Sequence, residues 1–316
     1  RYRPDKYPEK NAERRKSVLG KMLELGYITE QEYEAALNED VKIVANKDAI
    51  KEISINNYFV DALIDDVVDD LVQKLNCDKT YAEQNFYNGG YNIYCTMDPK
   101  IQATIDKYYS NESNFLKNSK GVRAQSSITI MDYNGHVVGI SGGVGEKTGN
   151  RALNRATSSP RQPGSSIKPI TVYSLALDQN LITYSSMLKD EPTMTITNEK
   201  GQKVKWPKNA GGSTTNRNVT MTYALQRSYN TIPVQLTEKL GIEAVFNHAV
   251  NDMGIKNFVA PFKNADGTTE AGDHTYSSLA LGGSYKGITT LESCAAFATF
   301  GNMGKYYEPT FYTKVT

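Results

Sequence analysis

The chain is 316 residues long with a formal net charge of +1 and 22% charged residues, room for one large core or two to three small ones. That near-neutral balance leaves no electrostatic footprint for nucleic acid, and its three cysteines and three histidines, scattered without ligand spacing, predict neither a zinc site nor a disulfide framework. No apolar run approaches the roughly 18 residues of a membrane span, and no charged-then-apolar leader opens the sequence.

Residues 1 to about 45 read as two helices. Ala12, Arg15, Val18, Leu19, Met22 and Leu23 form a helical stripe that ends at Leu25-Gly26, with glycine in a C-cap position. The second helix opens with a capping box, Thr29 and Glu32, and runs to about Leu37. Glu9, Glu13, Glu24, Glu30 and Glu32 read as solvated helix charges. A third, amphipathic helix spans 55–75, with Val60, Ile64, Val67, Leu71 and Leu75 on one face. Asp61, Asp65, Asp66, Asp69 and Asp70 cluster opposite and read as a solvated face, because a cation site needs a loop that wraps the ion. Tyr91 to Met97 reads as a strand, and Pro99 onward as a helix through Ile101, Ile105 and Tyr108. Cys95 and Cys294 are expected to be buried free thiols, and a Cys77–Cys95 pair stays open.

A hairpin follows. Ser127 to Met131 and His136 to Ile140 alternate around Asn134-Gly135, a pair that favours a type I′ turn. Two strands need a cover to be stable, and the expected cover is the apolar helix Ile170 to Leu177. That helix follows Gly164-Ser165-Ser166-Ile167-Lys168-Pro169, the stretch in which a nucleophile and a base fall within one helical turn. Three residues apart on a helix, Lys168 can reach the Ser165 hydroxyl, and a helix start directs backbone N–H groups at a developing oxyanion. Pro169 has no N–H to return to Ser165, so an open or 3₁₀-like first turn is expected. A free lysine titrates at about 10.4, so a half-neutral Lys168 needs a fall of roughly 3 units, or about 4 kcal/mol, from burial and neighbouring positive charge such as Arg161.

From Leu181 to Asn218 the sequence is turn-rich, with a small hairpin around Thr195 to Trp206. Thr222 to Arg227 reads as a helix delivering Ser228-Tyr229-Asn230, with Tyr229 turned into the core. An S-x-x-K followed by S-x-N is the pattern of penicillin-interacting serine enzymes. Ser186-Met187-Leu188-Lys189 and Ser54-Ile55-Asn56 repeat the two halves by chance, and order and context select Ser165 with Ser228. Adjacent Asp273 and His274 do not suit a Ser-His-Asp relay.

On these motifs the sequence resembles a class A, bifunctional penicillin-binding protein over almost its whole length. The resemblance is carried by Tyr27-Ile28-Thr29 with Tyr33 and Ala36, by Gly90 to Tyr94 running into Met97-Asp98-Pro99, and by Asn154-Arg155-Ala156-Thr157. It continues through Arg161-Gln162-Pro163-Gly164, Trp206-Pro207-Lys208-Asn209, Leu281-Gly282-Gly283 and Gly301 to Gly304. It implies an α+β fold with a central antiparallel sheet flanked by helices, arranged as three parts. These are the last helices of a glycosyltransferase domain over 1–48, a linker module over 49–118 and a transpeptidase domain over 119–316. It further implies a D,D-transpeptidase that cross-links peptidoglycan stem peptides through an acyl-enzyme and is trapped by β-lactams, without a cofactor. Ser165 would be acylated, Lys168 its base, Ser228 the proton shuttle to the leaving amine and Asn230 a ligand of the donor peptide. A membrane-anchored parent, working in cell-wall synthesis complexes on the extracytoplasmic face of the bacterial membrane, is implied as well. A β-lactamase-like hydrolase and a non-catalytic cell-wall scaffold of the same fold are the alternatives.

The family's third motif, K-[ST]-G, belongs on a strand after S-x-N. Lys147-Thr148-Gly149 precedes the nucleophile among glycines that disfavour a strand, and no other match follows. The chain, which starts without Met, is therefore expected to be a piece that stops before this motif. A polypeptide ending at Thr316 is expected to leave the hairpin edge unpaired and to be neither stably folded nor acylated.

Overall fold

A computed structural model of the protein describes residues 2–4, 6–40 and 55–316, in two compact units, Arg1–Ser54 and Ile55–Thr316. The expected boundary at residue 48 and the decoy Ser54 lie outside the described residues. In the first unit α1 (Pro8–Glu24) starts on proline at its first turn, and α2 (Glu30–Asn38) starts on the capping box read from the sequence. The Thr29 hydroxyl accepts from Glu32 N at 3.3 Å while the Glu32 carboxylate accepts from Thr29 N at 2.7 Å. Arg15 ties the two helices by donating to the Glu39 and Leu37 carbonyls at 2.8 and 3.2 Å.

The second unit begins with α3 (Tyr58–Leu75), capped by Asn57 and ended by a left-handed Asn76. Its acidic residues correct the sequence reading in part. Asp65, Asp69 and Asp70 lie toward solvent, but Asp61 is buried, pairs with Lys147 at 2.7 Å and accepts from Arg151 N at 2.7 Å. Asp66 accepts from Phe311 N at 3.1 Å, and burial pushes its carboxyl up to about 6. The partners come from loops more than 80 residues on, out of reach of any local pattern. Lys147 of the K-T-G look-alike is thus a structural pin, and it also donates to the Asn56 and Gly149 carbonyls at 2.8 and 2.7 Å.

The chain continues through α4 (Lys79–Asn88), β1 (Ile93–Cys95), α5 (Pro99–Ser110), β2 (Ile128–Met131), β3 (Val137–Ser141) and α6 (Arg155–Ser158). After a 3₁₀ turn (Gly164–Ser166) and a π-helical turn (Pro169–Tyr173) come α7 (Ser174–Asp178), β4 (Met187–Lys189), β5 (Met194–Thr197), β6 (Lys203–Trp206) and β7 (Asn218–Thr220). Then follow α8 (Met221–Gln226), α9 (Thr231–Leu240), α10 (Ile242–Asn247), a second π-helical turn (His248–Asp252) and the short strands β8 (Phe262–Lys263) and β9 (Thr269–Glu270). The last elements are α11 (Tyr276–Leu281), α12 (Thr290–Ala298) and β10 (Tyr312–Val315).

Strands pair antiparallel in twos among the described residues: β1 with β10, β2 with β3, β4 with β7, β5 with β6 and β8 with β9. The β2–β3 hairpin lies between α5, which packs on β3, and α12, which packs on β2. Gly139 admits α5, because a Cβ there would meet Ile105 Cδ1 at 2.7 Å. The helix after Ser165 is therefore not the hairpin's cover. It packs instead against α9, α10 and α11. The hairpin turn also departs from type I′, which needs positive φ at both central residues. Gly135 has φ 88° while Asn134 does not enter that region. The Asp132 carboxylate shapes the turn by accepting from Asn134 N and His136 N at 2.8 and 3.0 Å. Cys95 is exposed rather than buried, because it sits on a short strand with one solvent face, Cys294 is only half-buried, and all three thiols are free.

The main core gathers Ile167, Ile170, Val172 and Ala176 with Ile232, Val234 and Leu236 of α9 and Leu279 of α11, all fully buried. Each of the larger aliphatic chains contributes about 1.5–3 kcal/mol on burial. The run that starts at Ser165 is thus the central rod of this half of the unit.

Candidate active site

Ser165 stands exposed on the 3₁₀ turn, and Lys168 lies one turn deeper with 1% of its surface exposed. Pro169 explains the irregular geometry. It offers no N–H to the preceding turn, so Ile167 N closes on Gly164 and Ser165 carbonyls, and Ser174 N reaches back five residues to Pro169 O. The turn between is π-helical, a form that concentrates at functional sites. Thr171 steadies it, donating to Ile167 O at 2.9 Å or to Leu279 O at 2.8 Å.

A second chain segment fixes the turn that holds Ser165. Arg161 and Ile288 exchange both backbone hydrogen bonds at 2.9 Å, Gln162 Nε2 donates to Ser284 O at 3.0 Å, and Gly164 N donates to Gly282 O at 3.3 Å. Gly282 has φ 77°, and a Cβ there would lie 2.1 Å from Gly164 O. Two glycine backbones can approach this closely; no side chain fits between them.

The S-x-N segment is delivered by α8, but in a conformation the sequence does not announce. Ser228 is left-handed, with φ 53°. Ser228 N donates to Leu225 O and Tyr229 N to Ala224 O, both at 2.9 Å, a Schellman ending with serine where glycine is usual. A serine held there costs on the order of 1 kcal/mol. The turn directs the Ser228 and Tyr229 carbonyls at Lys168. Lys168 Nζ lies 2.9 Å from Ser228 O, 3.2 Å from Ser228 Oγ, 3.2 Å from Tyr229 O and 2.7 Å from Asn230 Oδ1.

The structure therefore joins Lys168, Ser228 and Asn230 directly. Ser165 is placed by the shared helical run, and its hydroxyl has no hydrogen bond among the described residues, so the expected Lys168–Ser165 bond is not made here. Four oxygens around one nitrogen suit an ammonium, and burial nonetheless brings Lys168 down to about 8. Arg161 takes no part in this, since its exposed guanidinium donates to Pro160 O at 2.9 Å.

Asn230 is held on both sides. Its Nδ2 donates to Lys208 O at 2.7 Å, and its backbone N donates to Asn209 Oδ1 at 2.8 Å. Tyr229 turns toward the core and meets Tyr223 edge to face at 6.0 Å. The sequence resemblance flagged Trp206 to Asn209 without a role; the contact to Asn230 supplies one.

The look-alike motifs separate cleanly. Ser186 precedes β4 and accepts from Thr183 N at 2.8 Å, while Lys189 pairs with Glu191 at 2.7 Å. Residues three apart along a strand point to opposite faces. Asp273 is fully buried and accepts from Val259 N and Tyr285 N at 2.8 Å, so it anchors the loop behind Gly282 rather than orienting His274. A serine–histidine–carboxylate array does occur elsewhere. Ser174 Oγ lies 2.8 Å from His248 Nε2 and His248 Nδ1 lies 2.8 Å from Asp252 Oδ2, on a cavity of about 870 Å³. Ser174 sits inside a helical run with its amide already donating to Pro169 O, so its own N–H is not available to an oxyanion.

Among the described residues no group of histidine, cysteine or carboxylate side chains is arranged to hold a metal ion, and no helix is long and apolar enough to cross a membrane.

Residues 118–316 match the penicillin binding protein transpeptidase domain family. Penicillin-binding protein 1A of Clostridium botulinum is 35% identical over 98% of this chain, which spans 37% of that relative's length. Penicillin-binding protein 1A of Haemophilus influenzae superposes with a TM-score of 0.58 at 20% identity, over 100% of this chain and 55% of the other. PonA1 of Mycobacterium tuberculosis, solved in complex with penicillin V, gives 0.59 at 22% identity, over 81% of this chain and 62% of the other.

Proposed function

Since the chain belongs to the penicillin-binding protein transpeptidase family, we propose that it carries the serine acyl-transfer centre of a peptidoglycan D,D-transpeptidase. In this reading Ser165 is the nucleophile, Lys168 its base, Ser228 the proton shuttle and Asn230 a substrate ligand. The observation that carries it is a buried lysine at about 8, three residues after an exposed serine and bonded to both side chains of the S-x-N turn.

Neutral Lys168 keeps two N–H bonds and offers its lone pair to the Ser165 proton. The Ser165 oxygen then bonds the carbonyl carbon of the penultimate D-alanine, and collapse of the tetrahedral adduct breaks the C–N bond. The departing amine takes its proton from the Lys168 ammonium by way of Ser228 Oγ, 3.2 Å away. A second amine attacks the resulting ester, passing a proton to the neutral Lys168; the C–O bond breaks, the Ser165 oxygen takes that proton back, and the new amide leaves. Asn230 retains one N–H beyond its bond to Lys208 O, free to meet a donor-peptide carbonyl.

β-Lactams would acylate the same serine, in line with the penicillin V complex of the mycobacterial relative. Residues 1–48 are proposed as the end of a glycosyltransferase domain, 49–118 as a linker and 119–316 as transpeptidase, within a membrane-anchored protein acting outside the cytoplasm. The test is release of D-alanine from a stem pentapeptide by the natural full-length protein. Release lost in Ser165→Ala supports the proposal, and undiminished release in that variant refutes it.

A further inference from the structure

Asp190 is fully buried, and no cation pairs with it among the described residues. Its carboxylate is instead satisfied by four hydrogen bonds. Oδ1 accepts from Thr231 Oγ1 at 2.6 Å and Asn209 Nδ2 at 2.8 Å, and Oδ2 accepts from Thr215 N and Oγ1 at 2.7 and 2.9 Å. Burial alone would raise this carboxyl, but these bonds outweigh it and hold it below the usual range. Its backbone is clamped too, with Asp190 N donating to Arg217 O at 2.9 Å and Asn216 N to Asp190 O at 3.0 Å.

A carboxylate accepts and cannot donate, so it dictates which end of the Asn209 amide faces it. The NH₂ turns to Asp190, and Oδ1 must face the other way. There it accepts from Asn230 N at 2.8 Å and, weakly, from Thr231 N at 3.4 Å. Asn230 is the residue that follows the strained Ser228 turn and gives Lys168 its closest oxygen, at 2.7 Å. A chain of three side chains thus runs from a buried anion to the amine. Among the described residues neither Asp190 nor Asn209 hydrogen-bonds to Lys168 or Ser228.

We propose that Asp190, acting through the Asn209 amide, is a positioning residue of the acyl-transfer centre: it locks the Ser228–Asn230 turn in the left-handed form that aims Asn230 Oδ1 at Lys168. This rests on the function proposed above. It assigns work to residues outside the S-x-x-K and S-x-N motifs: Asn209, in the Trp206 to Asn209 stretch that the resemblance marks without a role, and Asp190, in the turn-rich connection before it.

The test compares Asn209→Ala with Thr215→Val in the full-length protein. Each deletes one side-chain hydrogen bond to Asp190, but Thr215 lies on the carboxylate oxygen away from Asn230. The readouts are the rate of acylation by a fluorescent penicillin, its midpoint on the pH axis, and the unfolding temperature. Asn209→Ala is expected to slow acylation at least tenfold and to move the midpoint to lower pH, because an ammonium that loses its nearest acceptor gives up its proton more readily. Thr215→Val is expected to stay within about twofold with an unmoved midpoint, at a comparable loss in unfolding temperature.

Asp190→Asn gives a second arm should Asn209→Ala fold poorly. Its new NH₂ faces Asn209, which must flip, turning a donor toward Asn230 N, and the same fall and shift follow. Equal effects of Asn209→Ala and Thr215→Val, or a slowing with no shift of midpoint in both Asn209→Ala and Asp190→Asn, would overturn the positioning role. Normal acylation of the unmodified protein in that same experiment keeps this failure distinct from failure of the acyl-transfer reading, in which nothing is acylated at all.

Discussion

Replacing Lys168 by Met separates what the amine does chemically from what it does for the fold. The side chain is buried and its ammonium titrates at about 8 instead of 10.5. At pH 7 about one molecule in ten then carries a neutral amine, against about one in a few thousand for a free lysine. Acylation of the unmodified protein should therefore rise with pH, reach half its plateau near pH 8, and gain about tenfold between pH 7 and the plateau. The same shift acts on stability. The unfolded chain binds the extra proton between about pH 8 and 10.5, so stability increases across that window as pH rises. Below 8 the full cost of the buried ammonium, about 3 kcal/mol, is present. Methionine keeps the aliphatic bulk and removes that cost, but leaves the oxygens of Ser228, Tyr229 and Asn230 short of a donor at about 1 kcal/mol each. The two effects nearly cancel, and net stability at pH 7 should change by no more than about 2 kcal/mol. Acylation should instead fall by about 10²- to 10⁴-fold, the usual contribution of a general base. Stopped-flow acylation with a fluorescent penicillin from about pH 6 to 9, beside urea unfolding of the same samples, checks both parts. A Lys168→Met protein that acylates at the normal rate, or a normal protein whose rate is flat over that range, would show that another group takes the proton.

Two further substitutions probe the geometry on either side of Lys168. Ser228→Gly should raise stability by about 0.5–1 kcal/mol, since glycine adopts φ near 53° freely, while Ser228→Ala keeps the strain; both should lose the proton shuttle and slow acylation by similar factors, measured against thermal unfolding. Gly282→Ala drives a methyl to 2.1 Å from Gly164 O and should displace the Ser165 turn, cutting acylation at least tenfold with a stability loss of about 2–4 kcal/mol; unchanged acylation would mean that the Gly164–Gly282 contact does not fix the nucleophile.

Local chemistry was readable where its causes are local. The Thr29–Glu32 box, the amphipathic run of α3, the β5–β6 hairpin and the irregular turn before Pro169 each follow from residues within one or two turns. Motif order pointed to the meeting of Lys168 with Ser228 and Asn230. What was not legible depends on partners remote in sequence. Asp61 and Asp66 carry the same letters as Asp65 and Asp69, and what sets them apart is burial against Lys147, the Arg151 amide and the Phe311 amide, while Asp65 and Asp69 meet Arg151 and Lys79 at the surface. The cover of the β2–β3 hairpin was misplaced because periodicity shows that a helix is apolar and not which apolar surface it meets. Left-handed Ser228 is a violation of local preference upheld by Asn209 and Lys168, and such violations are expected where function sets the backbone.

The central claim is that Ser165 is the residue acylated. Incubating the full-length protein with penicillin, followed by intact-mass analysis and peptide mapping, measures it directly. A single penicilloyl adduct on Ser165, lost in Ser165→Ala and kept in Ser186→Ala, is the predicted result. An adduct on Ser186, on Ser174 or on any other residue would contradict it.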